Sequence, residues 1–141
     1  MRIAFIGGGN MGEAMIRCIV EKGAAKAAEI TVSDISEARR SYLKKQHGVE
    51  TTSSNRTAAK KAEVIILAVK PNVMPEALAD LKGVLKPEQT VISIAAGITL
   101  NKLCQGLDRK SVVRAMPNTP AQIGEGMTVW TVSGEAGEQD K

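Results

Sequence analysis

Apolar and polar positions along the chain follow two alternating periods. Residues 2–6 (RIAFI) form a short apolar run of strand type. Met11, Ala14, Met15, Cys18 and Ile19 then fall at offsets 0, 3, 4, 7 and 8, one face of a helix that Gly23 can stop. Residues 29–33 (EITVS) alternate as a strand does. A helix follows over 36–46, with Ser36 as N-cap and Gly48 as stop. A short Ala/Lys helix near 57–61 leads into EVIILAV (63–69), a continuous apolar, β-branched run of the kind found in strands covered on both faces. Pro71 ends it, and Met74, Ala77, Leu78 and Leu81 make the next helical stripe. TVISIAA (90–96) is a second buried strand, followed by a short helix at 99–105 and strands at 111–116 and 126–132. Strands alternating with helical stripes predict an α/β fold, a doubly wound, mainly parallel sheet built from right-handed βαβ units. The last residues, SGEAGEQDK, read as the opening of another helix with Ser133 as its cap. The expectation is therefore one domain over 1–141, truncated near its C-terminal end.

The first strand runs into Gly7-Gly8-Gly9-Asn10-Met11-Gly12, which fits G-x-G-x-x-G with Gly7, Gly9 and Gly12 in the three positions. The pattern lies between a strand and an amphipathic helix, the context in which it cradles a dinucleotide pyrophosphate. Gly7 permits the tight turn, Gly9 lets the backbone approach the phosphates, and Gly12 allows close helix–strand packing. The helix N-terminus offers free N–H groups to the anion. Asp34 closes the second strand, 22 positions after Gly12, against about 20 for the acidic ribose ligand of such sites. A carboxylate there suits NAD, because it repels the 2′-phosphate of NADP. Asp34 can equally be a helix-capping residue. Ser33 can hydrogen-bond a phosphate, while Arg39 and Arg40 beyond it are either phosphate partners or a solvated helix face.

Ligands of open parallel sheets bind outside the carboxyl ends of the strands. The strand over 63–69 ends in Ala68-Val69-Lys70-Pro71, that over 90–96 in Ala95-Ala96-Gly97, and that over 111–116 in Met116-Pro117-Asn118-Thr119-Pro120. Small residues, Gly and Pro at these ends let a flat ring approach the backbone. Lys70 can serve a phosphate or ribose hydroxyl, or stand as a surface lysine. Asn118 and Thr119, held between two prolines, look like a preorganised polar site. No Ser/His/Asp set, Cys/His pair or paired carboxylates occur at these ends, and Glu125 is the nearest acid. A cofactor is therefore expected to carry the chemistry.

Composition narrows the class. Hydrophobic residues make up 43% and charged residues 24%, ordinary for a soluble globular domain, and no apolar run is long enough for a membrane span. The start of the chain lacks a signal-peptide pattern, so the expected location is cytoplasmic. Net charge is +4, yet the basic residues are dispersed and the aromatics are only Phe5, Tyr42 and Trp130, which speaks against nucleic acid and for a small anionic ligand. Cys18 and Cys104 have no metal-ligand spacing and read as two buried reduced thiols; no metal site is expected. The lone His47 reads as a surface residue at a helix end.

Taken together, the glycine loop, Ala68-Val69-Lys70-Pro71, Ala95-Ala96-Gly97 and above all Arg114-Ala115-Met116-Pro117-Asn118-Thr119-Pro120-Ala121 through Gly124-Glu125-Gly126-Met127-Thr128 resemble pyrroline-5-carboxylate reductase. The similarity covers nearly all 141 residues, and the RAMPNTP…GEGMT stretch is its most specific part. The resemblance implies a Rossmann-type domain and reduction of 1-pyrroline-5-carboxylate to L-proline, a step of proline biosynthesis, with hydride from NADPH or NADH. It implies that Ile6, Gly7, Gly8, Gly9, Asn10, Met11, Ser33, Asn55, Ala68, Val69, Lys70, Pro71, Ala95, Ala96 and Gly97 border the dinucleotide. Met116, Pro117, Asn118 and Thr119 would lie near the nicotinamide and substrate. Family members carry a second, all-helical domain that forms an intertwined dimer and supplies most substrate-binding and proton-donating groups. That domain is absent from the 141 residues, so the catalytic residues stay unknown and this stretch alone is expected to turn over poorly. NADP is the expected cofactor, with NAD possible because of Asp34. Rival readings are a related imine or β-hydroxyacid reductase and a non-catalytic dinucleotide sensor.

Overall fold

The computed structural model describes residues 1–117 and 128–133. Its elements run β1 (Ile3–Ile6), α1 (Asn10–Glu21), β2 (Ile30–Ser33), α2 (Glu37–His47), β3 (Glu50–Thr52), α3 (Asn55–Lys60), β4 (Val64–Leu67), α4 (Met74–Leu81), β5 (Thr90–Ser93), α5 (Leu100–Leu107), β6 (Val113–Pro117) and β7 (Thr128–Val132). The strands form one sheet in the order β3-β2-β1-β4-β5-β6-β7. The first six are parallel and β7 is antiparallel to β6. The order 3-2-1-4-5-6 is that of a doubly wound dinucleotide-binding sheet, so the predicted architecture holds. Its crevice lies where the order reverses, between β1 and β4.

Alternation along the strands explains the two covered faces. Ala4, Ile6, Ile65, Leu67 and Val91 point to one side and pack under α3, α4 and α5 through Ala58, Ala59, Leu78, Leu81, Leu103 and Leu107. Ile3, Phe5, Ile30, Val32 and Ile66 point to the other and meet Ile16 of α1 and Leu43 of α2. The run at 63–69 is thus covered on both faces as predicted, and each fully buried Leu or Ile contributes about 1.5–3 kcal/mol.

The predicted caps are present. Ser36 accepts the Arg39 N–H, and Gly48 ends α2 with φ 71°. Other details differ. The strand β3 has only the polar sequence Glu-Thr-Thr and gives no apolar signal. The predicted stripe of α1 does face the core, with Ala14 buried and Met15 and Ile19 packed against it, but the buried face is wider: Gly12, pressed against the Gly7 carbonyl and Phe5, and Ile16, one turn beyond it, are buried too. Cys18 and Cys104 form no disulfide and are only half-buried, and the Cys104 thiol points to the Lys110 carbonyl. The hydroxyl of Ser133 accepts from the Val112 N–H (3.0 Å) and donates to the Lys110 carbonyl (2.6 Å), joining the end of β7 to the approach to β6. The helix predicted after it lies outside the described residues. No helix among the described residues is long and apolar enough to cross a membrane.

The sheet end away from the glycine loop is closed by side chains. The Arg109 guanidinium donates to the carbonyls of Ser111, Lys86, Pro87 and Gln89. The buried Gln89 amide donates to those of Ala59 and Ala62.

Candidate functional site

The register brings the strand ends level. Ile6, Ser33 and Thr52 are aligned across β1, β2 and β3, and Ile6, Leu67 and Ser93 across β1, β4 and β5. The connections that follow therefore stand side by side on one ledge.

Each glycine of the loop has its own physical reason. Gly7 has φ 99°, and its N–H donates to the Ser33 carbonyl at 2.8 Å. A Cβ there would come within 2.9 Å of Val69, backbone and side chain. Ala68 and Val69 are thus brought against the loop. Gly12 touches the Gly7 carbonyl and Ala68 so closely that a Cβ would sit 3.1 and 3.5 Å from them. At Gly9, the residue before α1, a Cβ would meet nothing within 4 Å. The first helical hydrogen bond runs from Glu13 N–H to the Gly9 carbonyl, and no side chain caps the helix. Asn10 and Met11 therefore present first-turn N–H groups to the open space in front of Gly9, the arrangement that holds an anion. These residues fit a pyrophosphate. Gly8, to which the motif assigns no role, is the tightest position: a Cβ would lie 2.5 Å from Leu43 and 3.1 Å from Val32.

Asp34 holds the loop. One carboxylate oxygen accepts the Gly8 N–H (3.0 Å) and the other the Ser36 N–H (2.9 Å). Its own N–H donates to the Thr52 carbonyl. Of the two readings left open, helix capping belongs to Ser36, and Asp34 instead ties two loops together. Each oxygen keeps acceptor capacity for a ribose hydroxyl. Arg40 donates to the carbonyls of Asp34 (2.8 Å) and Ile35 (3.1 Å). The next side chain, Ile35, is 92% exposed.

Arg39 is neither a free phosphate partner nor a solvated residue. Its Nε donates to the Gly8 carbonyl, its terminal nitrogen pairs with Glu13 at 2.5 Å, and its guanidinium lies 5.1 Å from the Tyr42 ring centre. The other Glu13 oxygen is 2.9 Å from Nε2 of His47. His47 is therefore a half-buried link from the end of α2 to the start of α1, which corrects the surface reading. Burial pushes the Glu13 carboxyl up, but hydrogen bonds from His47, Arg39 and Tyr42 and the charge of Arg39 outweigh it and hold it below its usual 4.5. The same hydrogen bond to Glu13 raises the Tyr42 hydroxyl above 10.0.

Ser33 is 1% exposed, and its hydroxyl donates to Asn55 Oδ1 at 2.7 Å. The Asn55 amide in turn donates to Asp80 on α4 (3.1 Å). On the other half of the ledge, the Ala68 N–H donates to the Ile6 carbonyl, and the Lys70 and Pro71 carbonyls receive the N–H of Met74 at the turn into α4. Ala95 is buried, while Ala96 and Gly97 (φ 74°) are exposed. Met116 is 40% exposed at the end of β6. The backbone of Pro117 closes that strand; Asn118 and Thr119 lie outside the described residues.

Glu13, Asp80 and Ile35 were not singled out from the sequence. Glu13 and His47 meet only because α1 and α2 pack, and Asp80 reads as an ordinary helix acid. Ile35 did carry a signal, an isolated aliphatic residue in the polar stretch SDISEARR.

The chain is 41% identical over 128 residues to the pyrroline-5-carboxylate reductase of Synechocystis, covering 91% of this chain and 48% of that protein. The structure of a pyrroline-5-carboxylate reductase from Coxiella burnetii superposes with a TM-score of 0.92 at 33% identity, over 98% of this chain and 52% of the other. That of the Plasmodium falciparum pyrroline carboxylate reductase with NADP bound gives 0.87 at 27%, over 99% and 51%. The chain thus spans about half the length of the relatives it matches. Residues 2–97 match the model of the family described as NADP oxidoreductase, coenzyme F420-dependent, and the chain belongs to that family.

Proposed function

We propose that residues 1–141 form the dinucleotide-binding domain of a pyrroline-5-carboxylate reductase acting in the cytoplasm, the full-length protein being a homodimer or higher homo-oligomer. Carrying this reading is the open space before Gly9, faced by the first turn of α1 and held in place through Gly8 by Asp34 and Arg39. The resemblance of nearly the whole chain to such reductases supports the substrate. When bound, NADPH or NADH would supply the hydride which, together with one proton, reduces the C=N bond of 1-pyrroline-5-carboxylate to give L-proline.

The remaining work is done by the chain's own groups. The N–H groups of Asn10 and Met11 hold the pyrophosphate, and Gly7, Gly8, Gly9 and Gly12 shape the loop that brings them there. Asp34 accepts a ribose hydroxyl on its remaining acceptor sites, which admits NADH beside NADPH. Ser33 acts through Asn55, whose amide it orients together with Asp80. Ala68, Val69, Lys70, Pro71, Ala95, Ala96 and Gly97 border the rest of the dinucleotide with small or backbone groups. Met116, Pro117, Asn118 and Thr119 lie toward the substrate. Holding ring and imine in register is the main contribution of such a site to rate.

Titration of the 141-residue chain with NADH and NADPH, for wild type and Asp34→Ala, tests the reading. Saturable binding of at least one dinucleotide is expected. If Asp34 binds the ribose diol, NADH weakens in the variant by about 1–3 kcal/mol, and thermal melting of the same samples separates this from loosening of the loop. No binding of either dinucleotide to wild type refutes the reading.

A further inference from the structure

We propose that His47 sets the charge beside the phosphate loop, so that the chain holds a dinucleotide more tightly when the imidazole is protonated; this rests on the dinucleotide reading. His47 is the chain's only histidine. A cation in the last turn of a helix ordinarily serves that helix's own carbonyls. This one faces another helix. Its Nε2 lies 2.9 Å from one oxygen of Glu13 on α1, and its side chain is only 13% exposed. Glu13 stands roughly 6 Å along the helix axis from Gly9. Its other oxygen is held by the Arg39 guanidinium, whose Nε donates to the Gly8 carbonyl. One carboxylate thus joins the end of α2 to the loop that faces the pyrophosphate.

The net charge of this trio depends on the imidazole alone. The Glu13 carboxyl is held below 4.5 and a guanidinium keeps its proton, so neither changes where an imidazole ordinarily titrates, at about pH 6.5. With the ring neutral, Glu13 and Arg39 cancel, and the trio adds no net charge beside the cradle. With the ring protonated, Glu13 is shared between two cations, and the trio carries one positive charge. A pyrophosphate brings two negative charges, so its binding favours the second state and takes up a proton. Affinity is therefore full below the titration of the ring and falls as pH rises through it. The other charged groups on the elements around α2 take no part in this. Glu37, Lys44 and Lys45 of α2, Arg17 of α1 and Glu50 of β3 are exposed. Arg40 is bound to the carbonyls of Asp34 and Ile35, Asp34 to the N–H groups of Gly8 and Ser36, and Glu29 to the Met1 ammonium and the Lys26 N–H. The Tyr42 hydroxyl, raised above 10.0 by its hydrogen bond to Glu13, keeps its proton. The Met1 ammonium also titrates near neutral pH, but it stands at the opposite end of β1 from the loop.

The test is calorimetric titration of the 141-residue chain with ADP-ribose. This ligand carries the pyrophosphate but no phosphate monoester, so its own charge stays constant where a monoester titrates, at about pH 6. Wild type should bind about threefold more tightly at pH 5.5 than at pH 8, the scale of one partly screened charge near the phosphates. His47→Gln, whose amide keeps a hydrogen bond to Glu13 without a charge, should show the weaker affinity at both pH values. His47→Arg, permanently charged, should show the tighter affinity at both. In wild-type protein the ring signals of the single histidine, followed by nuclear magnetic resonance, should reach their midpoint at higher pH when ADP-ribose is bound. A pH dependence that persists in His47→Gln, or a midpoint that ignores the ligand, would overturn the proposal and leave the dinucleotide site standing. Equal weakening of both variants at both pH values, with lowered thermal stability, would overturn it as well and assign His47 to structure alone. Failure of wild type to bind ADP-ribose, NADH or NADPH at either pH would remove the site and the proposal together.

Discussion

The two halves of the ligand ledge are held by different forces. Around β1, β2 and β3, strand ends and loops are joined by polar side chains: Asp34 to Gly8, Arg39 to Gly8 and Glu13, His47 to Glu13, and Arg40 to the backbone of Asp34 and Ile35. Around β4 and β5, backbone bonds and apolar packing suffice, and the connections carry Ala, Val and Gly over a floor of Ile65, Leu67 and Val91. Under the proposed reading the first half faces phosphates and ribose and the second a flat ring. Charged ligand groups call for donors whose positions do not drift, whereas a ring calls for a shape. The contrast predicts different failures on the two sides.

The largest loss of stability should come from the packed half. Leu67→Ala leaves a cavity at a fully buried position and should cost about 2–5 kcal/mol in urea unfolding. On the other half, Gly8→Ala should cost about 1–3 kcal/mol, because its methyl group would run into Leu43 and Val32. A Gly8→Ala variant as stable as wild type would show that the loop yields, and would break the contrast.

Glu13→Gln should cost about 1 kcal/mol at pH 7, the pair with Arg39 being partly exposed. The pH dependence has a definite sign. The Glu13 carboxyl is held below 4.5 in the folded state, so its contribution is present above 4.5 and lost as pH falls through the lowered value. Unfolding curves of wild type and Glu13→Gln should therefore converge as pH falls below 4.5. A gap that stays constant would mean that the carboxylate does not stabilise the loop through its charge.

Gly9→Ala sharpens the contrast between neighbouring residues. Its φ of −70° suits any residue and its Cβ has room, so stability should fall by only about half a kcal/mol, while under the proposed reading dinucleotide binding drops sharply as the methyl fills the phosphate space. Lys70→Ala, at an exposed position, should change stability by less than about 0.5 kcal/mol and is informative only in cofactor titrations.

Features that repeat with the period of a strand or helix were legible in the sequence, as were positions governed by local sterics. The six longer strands, the Ser36 cap, the Gly48 stop, the tight turn at Gly7 and the close packing at Gly12 all belong to this class. The three-residue strand β3 left no trace because its pairing is entirely backbone. The tightness at Gly8 depends on Val32 and Leu43, far away in the chain. The Glu13–Arg39–His47 cluster escaped notice for the same reason: its members are 26 and 34 positions apart and meet only when two helices pack. Position along the sheet was readable for Asp34, but its bond to Gly8 was not.

The reversal at β7 also sets a travelling distance. Because this strand runs back along β6, Ser133 stands at the end of the sheet riveted by Arg109, joined to Lys110 and Val112. The far end of β7 thus lies the length of a five-residue strand, about 17 Å, from the ledge.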